Sequence, residues 1–296
     1  MGASDWVALV LVGVAFTYSS VLPFGLADRP ELRRTPKAML WLWQSLAVGG
    51  IVAALGAGML ALKNWLHPGV SLSESLASVI AGGLAVMVVG RLILTGHRVG
   101  RHLRAIRARH RELVDVLGRA DALDDSSHSD LRMIEVPLPV AYCLPGWRDS
   151  RIVVANRAVQ LLSSDQLSAV LAHERAHLAG RHDLLAEGFT VLQRAFPQAI
   201  AGRLAQQEVE ILIELLADRV ATRQVATSDL LSALEQMADI DPTRPNAESV
   251  SGSIAVRRQM LTQPSQPKHA QGVGLLLLAV GLMSLPIALI IWSVLN

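Results

Sequence analysis

Long runs of apolar residues occur four times along this chain, over approximately residues 6–27, 38–62, 72–95 and 273–295. A bilayer core about 30 Å thick needs about 20 helical residues to cross it, and each run has that length. No lysine or arginine precedes the first run, so we interpret it as a retained span and not as a signal peptide. The pattern therefore predicts three transmembrane helices within residues 1–96 and a fourth within residues 271–296.

Positive charge is concentrated in two of the segments that join these runs. The first loop contains Arg29, Arg33, Arg34 and Lys37, whereas the second contains only Lys63. Six arginines follow the third run: Arg98, Arg101, Arg104, Arg107, Arg109 and Arg111. Because basic segments stay in the cytoplasm, we expect both of these segments there and both termini outside. Aromatic residues do not interleave with the arginines, so we expect a bilayer anchor and no direct nucleic-acid binding.

Residues 97–270, between the third and fourth runs, are numerous enough for one domain of ordinary size. A stripe of mainly apolar residues recurs every three or four positions at its start: Val99, Leu103, Ile106, His110, Leu113 and Leu117. This stripe predicts that the third helix continues as a stem packed on its own domain, with a coiled-coil homodimer as the alternative. The single cysteine, Cys143, excludes an internal disulfide.

Three short segments with strand character follow the stem, over residues 131–136, 141–144 and 151–155. Proline and glycine turns separate them, so we expect a small antiparallel sheet. We expect Ile152–Ala155 at an edge of that sheet, where it could pair with an extended substrate. The fold class predicted from these patterns is a mainly α membrane protein with an α+β domain inserted between the third and fourth spans.

An HExxH motif, HERAH, lies in the middle of the inserted domain. Ser163 and Gln166 are spaced as a capping box before it, and apolar residues follow at helical spacing, so the motif is predicted to lie within a helix. Residues four apart project from one face of a helix. His173 and His177 can then offer two imidazoles to one Zn2+ ion, with Glu174 beside them as the general base.

A third zinc ligand is expected, because catalytic zinc usually has three protein ligands and one open position. Glu214 opens the sequence ELLAD, which resembles the ExxAD element of the gluzincins, where a glutamate on a later helix completes the site. Asp218 would then hold a ligand histidine through its second ring nitrogen. Asp183 is an alternative, because it follows HExxH and a glycine as the last ligand does in metzincins, and His182 is one position off that pattern. Glu210 shares the helix face of Glu214 and is a further alternative.

The sequence AYCLPGWRDSRIVVANRAVQLLSSDQLSAVLAHERAHLAGRHDLL resembles the antirepressor metallopeptidases typified by the BlaR/MecR beta-lactam signal transducers. The likeness includes the four-span layout, the position of the domain and the ELLAD helix. It implies a cytoplasmic, gluzincin-like zinc peptidase. Those transducers continue after the fourth span into a penicillin-binding sensor domain. This chain stops at Asn296 with no SxxK motif placed outside, so direct beta-lactam sensing is not expected.

We therefore expect a membrane-embedded zinc metalloendopeptidase that hydrolyses a cytoplasmic protein. The resemblance implies a BlaI/MecI-type transcriptional repressor, or the protease itself, as the substrate in transmembrane signalling. An alternative is HtpX-like membrane-protein quality control, although those enzymes are expected to carry spans between the two zinc motifs, and the charges of residues 178–207 leave no room for one. A non-catalytic membrane receptor is an alternative of another class. Glu174 argues against it, because a binding module needs no general base.

Overall fold

The computed structural model describes residues 3–65, 72–118, 130–147, 149–197, 202–238, 247–263 and 269–295, and they are mostly helical. The helices are α1 (Ala3–Phe16), α2 (Leu22–Ala27), α3 (Pro36–Trp65), α4 (Leu72–Leu117), α5 (Asn156–Leu161), α6 (Ser164–Ala179), α7 (His182–Ala195), α8 (Gly202–Ala221), α9 (Thr227–Ala238), α10 (Ala247–Thr262) and α11 (His269–Leu295). The strands are β1 (Leu131–Ile134), β2 (Ala141–Leu144) and β3 (Arg151–Ala155). A π-helical turn, Thr17–Val21, joins α1 to α2, and a 3-10 helix, Pro30–Arg34, precedes α3.

Four helical segments within the described ranges are long and apolar enough to cross a membrane, at the places expected from sequence. They are Ser4–Ala27, Pro36–Lys63, Ser78–Leu117 and His269–Leu295. Helix α4 has 46 residues, which corresponds to about 69 Å at about 1.5 Å per residue. The third apolar run therefore continues into the stem without a break, as predicted. These helices indicate a multi-pass membrane protein.

The chain divides into two compact units. The first comprises Met1–Arg98, Gly188–Leu212 and Pro267–Asn296, and the second comprises Val99–Glu187 and Ile213–Gln266. The first unit thus contains the apolar helices together with Gly188–Leu212, a segment that the sequence assigns to the inserted domain. This grouping matters for function, because the segment lies between the HExxH motif and the ELLAD sequence.

Glycines on α3 allow close packing inside the first unit. A Cβ added to Gly56 would collide with the side chain of Ile290 on α11, and one added to Gly58 would collide with Ala85 on α4. Small residues at such contacts let helices approach each other, which is how membrane helices gain packing energy. The centre of this packing includes Leu11 and Leu60, which are fully buried.

An ion pair fastens the 3-10 helix to α8 within the first unit. Arg33 donates from Nε to Oε2 of Glu208 at 3.1 Å and from Nη2 to Oε1. The two side chains are only 16% and 8% exposed. Because removal of one partner leaves the other charge buried and uncompensated, such a pair is far more important for stability than one on the surface.

We expect Arg33→Ala to lower the free energy of unfolding by about 3 kcal/mol, the lower end of the range for breaking a buried pair. The exposed Lys37 offers a matched control, and Lys37→Ala should change stability by less than about 0.5 kcal/mol. Denaturant unfolding of the detergent-solubilised protein measures both. Equal losses in the two variants would contradict a specific role for the ion pair.

In the second unit the strands form a mixed sheet with β3 at its centre, in the order β1-β3-β2. β1 is parallel to β3, with Leu131 opposite Ile152, whereas β2 is antiparallel to β3, with Cys143 opposite Ile152. The expectation of an antiparallel sheet is therefore wrong for the β1–β3 pair. Pro137 and Pro139 follow β1 and lack the N–H groups of a hairpin ladder, so β2 does not fold back on β1, and β3 lies between them.

The prediction of Ile152–Ala155 as an edge strand is also wrong. This strand is bonded on both sides, and Ile152, Val153, Val154 and Ala155 are at most 1% exposed. An uninterrupted apolar run is typical of a strand that is buried on both faces, whereas an edge strand usually alternates. Within the described residues, β1 and β2 are the outer strands of this sheet.

The stem at the end of α4 packs on this sheet. Val114 is buried against Leu144 of β2 and Val153 of β3. Ile106 and Leu113, which belong to the stripe predicted from sequence, are about half exposed at 51% each. The stem therefore packs on its own domain through one side of the helix.

Candidate metal centre

Helix α6 carries the HExxH motif, and its start is fixed as the sequence predicts. Ser163 Oγ accepts a hydrogen bond from the Gln166 backbone N–H, and Gln166 Oε1 accepts one from the Ser163 N–H, at 3.2 and 2.9 Å. The side-chain amide of Gln166 also donates to Ser232 Oγ of α9 at 2.6 Å. The capping box thus starts the helix and attaches it to a neighbour, which positions the two histidines further along α6.

The side chains of three residues with metal-binding atoms meet at this helix. His173 Nε2 and His177 Nε2 are 3.0 Å apart. Glu214, from α8, places Oε2 at 3.4 Å from His173 Nε2 and Oε1 at 3.4 Å from His177 Nε2. These three residues form a group that could hold a metal ion, with all donor atoms within 4.8 Å of one another.

The spacing of these donors fits a zinc ion. Ligands at about 2.0–2.1 Å from a tetrahedral zinc lie about 3.3–3.4 Å apart, because the edge of a tetrahedron is about 1.63 times the distance from its centre to a corner. The observed separations of 3.0, 3.4 and 3.4 Å are close to that value. Two imidazoles and one carboxylate are also the donor set of several catalytic zinc sites, which leave the fourth position open.

Asp218 and Arg257 support this group from behind. His173 Nδ1 donates to Asp218 Oδ1 at 2.9 Å, which leaves Nε2 directed at the other donors. Arg257, from α10, donates from Nε and Nη2 to the two oxygens of Asp218 at 2.8 and 2.6 Å, and its Nη1 lies 3.1 Å from Glu214 Oε2. Asp218 and Arg257 are 2% and 7% exposed. A histidine that binds a metal through one ring nitrogen usually donates a hydrogen bond from the other to a carboxylate, as His173 does to Asp218.

The environment also sets the charge of each donor. Burial raises the pKa of Glu214, but the His173 hydrogen bond and the Arg257 charge outweigh it and hold the pKa at about 2. Burial lowers the pKa of His177 to about 4. Glu214 is therefore ionised and His177 neutral at pH 7, as metal binding requires.

His173 carries a proton that a bound metal ion would displace. Burial alone would lower the pKa of His173, but hydrogen bonds to Asp218 and Glu214 outweigh it and raise the pKa to about 9. Below that pH the protonated imidazole competes with the metal. We expect zinc binding at pH 7 to release about one proton, and the apparent affinity to rise about tenfold per pH unit before levelling off near pH 9. Calorimetry in buffers of different ionisation enthalpy measures the proton count. An affinity that does not change between about pH 6 and pH 8 would contradict this prediction.

Glu174 follows His173 on α6 and is partly buried. Burial and the nearby negative charge of Glu214 raise its pKa, against the opposing effect of His173. Cys143 of β2 lies close to the Glu174 carboxylate, and burial together with that carboxylate raises the thiol pKa to about 12. The carboxylate beside the donor group therefore faces strand β2, and Cys143 stays a neutral thiol.

The other candidate ligands lie outside the donor group. Asp183 Oδ2 is 3.5 Å from Arg107 Nη1. Glu210 accepts a hydrogen bond from Gln206 Nε2 at 2.9 Å. His182 Nδ1 lies 3.1 Å from His177 Nδ1, the nitrogen of His177 that faces away from the group. A Cβ at Gly180 would collide with the His182 ring, so this glycine makes room for His182.

Sequence reasoning missed Arg257. It lies on α10, in the segment that precedes the fourth span. Ile254, Arg257 and Leu261 share one face of that helix, which places an arginine among apolar neighbours. A charged side chain on an apolar face requires a carboxylate partner, although the sequence does not show which carboxylate it meets.

We expect Asp218→Asn to weaken zinc binding by about 10–100-fold, because a neutral amide is a poorer acceptor for the His173 Nδ1–H. Asp183→Asn is the matched control, since Asp183 contacts Arg107, and it should leave the affinity unchanged. Competition with a fluorescent zinc chelator gives both constants. Equal affinities in the two variants would exclude the supporting role of Asp218.

This arrangement is typical of a metallopeptidase. Two histidines lie one turn apart on a helix, a glutamate comes from a later helix, and the carboxylate of Glu174 lies beside them. Residues 106–240 match the model of peptidase family M48, over slightly less than half of the 296 residues. This match supports the M48 metallopeptidase family for the domain that contains α6 and α8. No match to a curated protein or to a solved structure was found.

Proposed function

We propose that this protein is a membrane-embedded zinc metalloendopeptidase in which His173, His177 and Glu214 bind the metal and Glu174 is the general base. The observation that carries the proposal is the spacing of the three donors, which fits a tetrahedral ion with one open position. The match to a metallopeptidase family supports it independently. HExxH and ExxAD together define a gluzincin-type site.

The protein's own groups have distinct roles in the proposed hydrolysis. Bound zinc supplies a Lewis acid that makes water nucleophilic near neutral pH and polarises the scissile carbonyl. Glu174 accepts the proton of the attacking water and passes it to the leaving amine. Asp218 fixes the ring orientation of His173, and Arg257 pairs with both Asp218 and Glu214. Hydrogen bonds with His173, followed by the Arg257 charge, lower the pKa of both carboxylates.

We infer that an extended segment of the substrate pairs with strand β2. Among the described strands β2 pairs only with β3, so no strand covers its other edge. Cys143 on β2 lies close to Glu174, which brings a peptide along that edge beside the general base. Backbone hydrogen bonds of this kind provide affinity with little sequence preference.

The substrate is proposed to be a cytoplasmic protein. The arginines after the third apolar run favour a cytoplasmic domain with both termini outside. The resemblance to BlaR/MecR-type transducers favours a BlaI/MecI-type repressor, or the protease itself, in transmembrane signalling. Protease accessibility of the domain in inside-out and right-side-out vesicles tests the orientation.

A second candidate is HtpX-like quality control of membrane proteins. The specific observation in its favour is that Gly188–Leu212, between the two zinc motifs, belongs to the compact unit of the apolar helices. HtpX-like enzymes are expected to have membrane segments at this place. The non-catalytic receptor stays a third candidate, against which the presence of Glu174 argues.

Metal analysis and proteolysis of the purified full-length protein test the proposal. We expect about one zinc per chain, hydrolysis of unfolded β-casein, loss of both with 1,10-phenanthroline and recovery with added zinc. Full activity of the zinc-free protein would overturn the mechanism. Side-by-side cleavage of a purified winged-helix repressor and an unfolded membrane protein then distinguishes signalling from quality control.

A further inference from the structure

An apolar cavity of about 730 Å³ lies inside the first compact unit. Its lining comes from α1, the π-helical turn, α2, α3, α4 and the 188–212 segment, and includes Phe16, Ala47, Phe189 and Leu192. The volume is within the range of roughly 300–1,000 Å³ that is typical of small-molecule sites. Among the residues that line this cavity, Arg91 alone is charged.

Arg91 lies within the third apolar run, where a charged side chain is costly and usually functional. Its Nε donates to the backbone carbonyl of Ala195, the last residue of α7, at 2.8 Å. Its guanidinium lies 6.0 Å from the centre of the Phe196 ring. These two contacts fix the guanidinium at the cavity wall. In the described part of the chain its Nη groups have no hydrogen-bond acceptor.

Trp43 also lines the cavity, but it is only 1% exposed and its indole N–H is buried away from the cavity surface. The other polar side chains of the lining are satisfied: the Tyr18 hydroxyl donates to the Leu282 carbonyl at 3.0 Å, and the Ser19 hydroxyl to the Ala15 carbonyl at 2.8 Å. Among the described residues, the Nη groups of Arg91 are therefore the donors that the cavity offers, and they carry its one positive charge in an apolar surround.

We propose that this cavity binds one anionic phospholipid of the surrounding bilayer. The phosphodiester accepts hydrogen bonds from the Nη groups of Arg91, and an acyl chain fills the apolar part. A charged pair with phosphate satisfies an arginine better than a neutral acceptor does. A hydrophobic segment of a protein substrate fits less well, because its backbone groups are already paired within its own helix and it brings no negative charge.

Native mass spectrometry of the full-length protein from detergent micelles that contain phosphatidylglycerol tests this proposal. We expect one retained phosphatidylglycerol per wild-type chain, and occupancy lower by at least about tenfold with phosphatidylcholine, which has no net charge. Arg91→Gln should reduce phosphatidylglycerol occupancy by at least about tenfold, the effect of losing one charge-assisted hydrogen bond. Ala47→Leu, which keeps every charge and fills part of the cavity, should reduce it similarly.

Two further variants separate the cavity from general electrostatics and from misfolding. Arg98→Gln removes the same charge from the same helix at a residue that does not line the cavity, and it should leave occupancy unchanged. Arg91→Lys keeps the cation and should retain most of the binding. Equal occupancy in all variants would overturn the proposal, as would equal retention of phosphatidylcholine or a peptide found in place of the lipid. Loss of binding in Arg91→Lys as large as in Arg91→Gln would also overturn it, because the charge would then not be the cause.

Discussion

Glu174→Gln is expected to retain about one zinc per chain and to lose proteolysis by a factor of about 10²–10⁴, the usual contribution of general acid–base catalysis. The side chain is not in the donor group of His173, His177 and Glu214, so the metal should stay bound. Glutamine keeps the shape of the glutamate but cannot accept the proton of the attacking water. The raised pKa of Glu174, caused first by burial, makes it a stronger base than an exposed glutamate.

The measurement combines zinc content with the rate of β-casein cleavage. Glu112→Gln is the matched control, since Glu112 is exposed on the stem, and it should keep both zinc and activity. Retained cleavage in Glu174→Gln would exclude Glu174 as the general base. Loss of zinc in the same variant would mean that its carboxylate belongs to the metal site.

Glu214→Gln is expected to weaken zinc binding by about 100-fold or more, and the activity should fall with the metal content. Structural zinc sites with four ligands bind with about 10–16 kcal/mol, so one ligand contributes about 3 kcal/mol. Glu214 is also the only donor of the group that comes from α8, and the two histidines alone cannot complete a three-ligand site.

The controls for this variant are the two carboxylates that sequence reasoning kept as alternatives. Glu210→Gln and Asp183→Asn should keep about one zinc per chain, because Glu210 pairs with Gln206 and Asp183 lies against Arg107. Zinc content after dialysis against a weak chelator gives the result directly. If Glu214→Gln keeps its zinc while one of the controls loses it, that control residue is the third ligand.

The contacts of Arg257 decide which substitution of Glu214 is the better test. Arg257 contacts both Asp218, which is buried, and Glu214, so one guanidinium stabilises two carboxylates that otherwise repel each other. The hydrogen bond with His173 and then this positive charge outweigh burial and keep the Glu214 pKa at about 2. Replacement of Glu214 therefore removes a ligand and also leaves part of the Arg257 charge uncompensated, which is why glutamine is preferred to alanine in the test.

Several features follow from short stretches of sequence because their causes are local. The four apolar runs depend only on composition over about 20 residues. The Ser163–Gln166 capping box needs four consecutive residues, and the alignment of His173 with His177 follows from the helical repeat. The resemblance of ELLAD to the ExxAD element predicts Glu214 as the third ligand, whereas the spacing of residues by itself leaves Asp183, His182 and Glu210 open.

Other features depend on which distant segments meet, and here the sequence was insufficient or misleading. The central position of β3 depends on how the chain returns after β2, and its uninterrupted apolar run was the neglected signal. Arg257 reaches Asp218 across 39 positions of sequence. Hydrophobic periodicity states which face of an element is buried but not which partner covers it. The sequence by itself thus determined the apolar helices and the HExxH helix. Only the tertiary structure decided the strand order, the place of Glu214 in the donor group and the contacts of Arg257, because these features require contacts between separate elements.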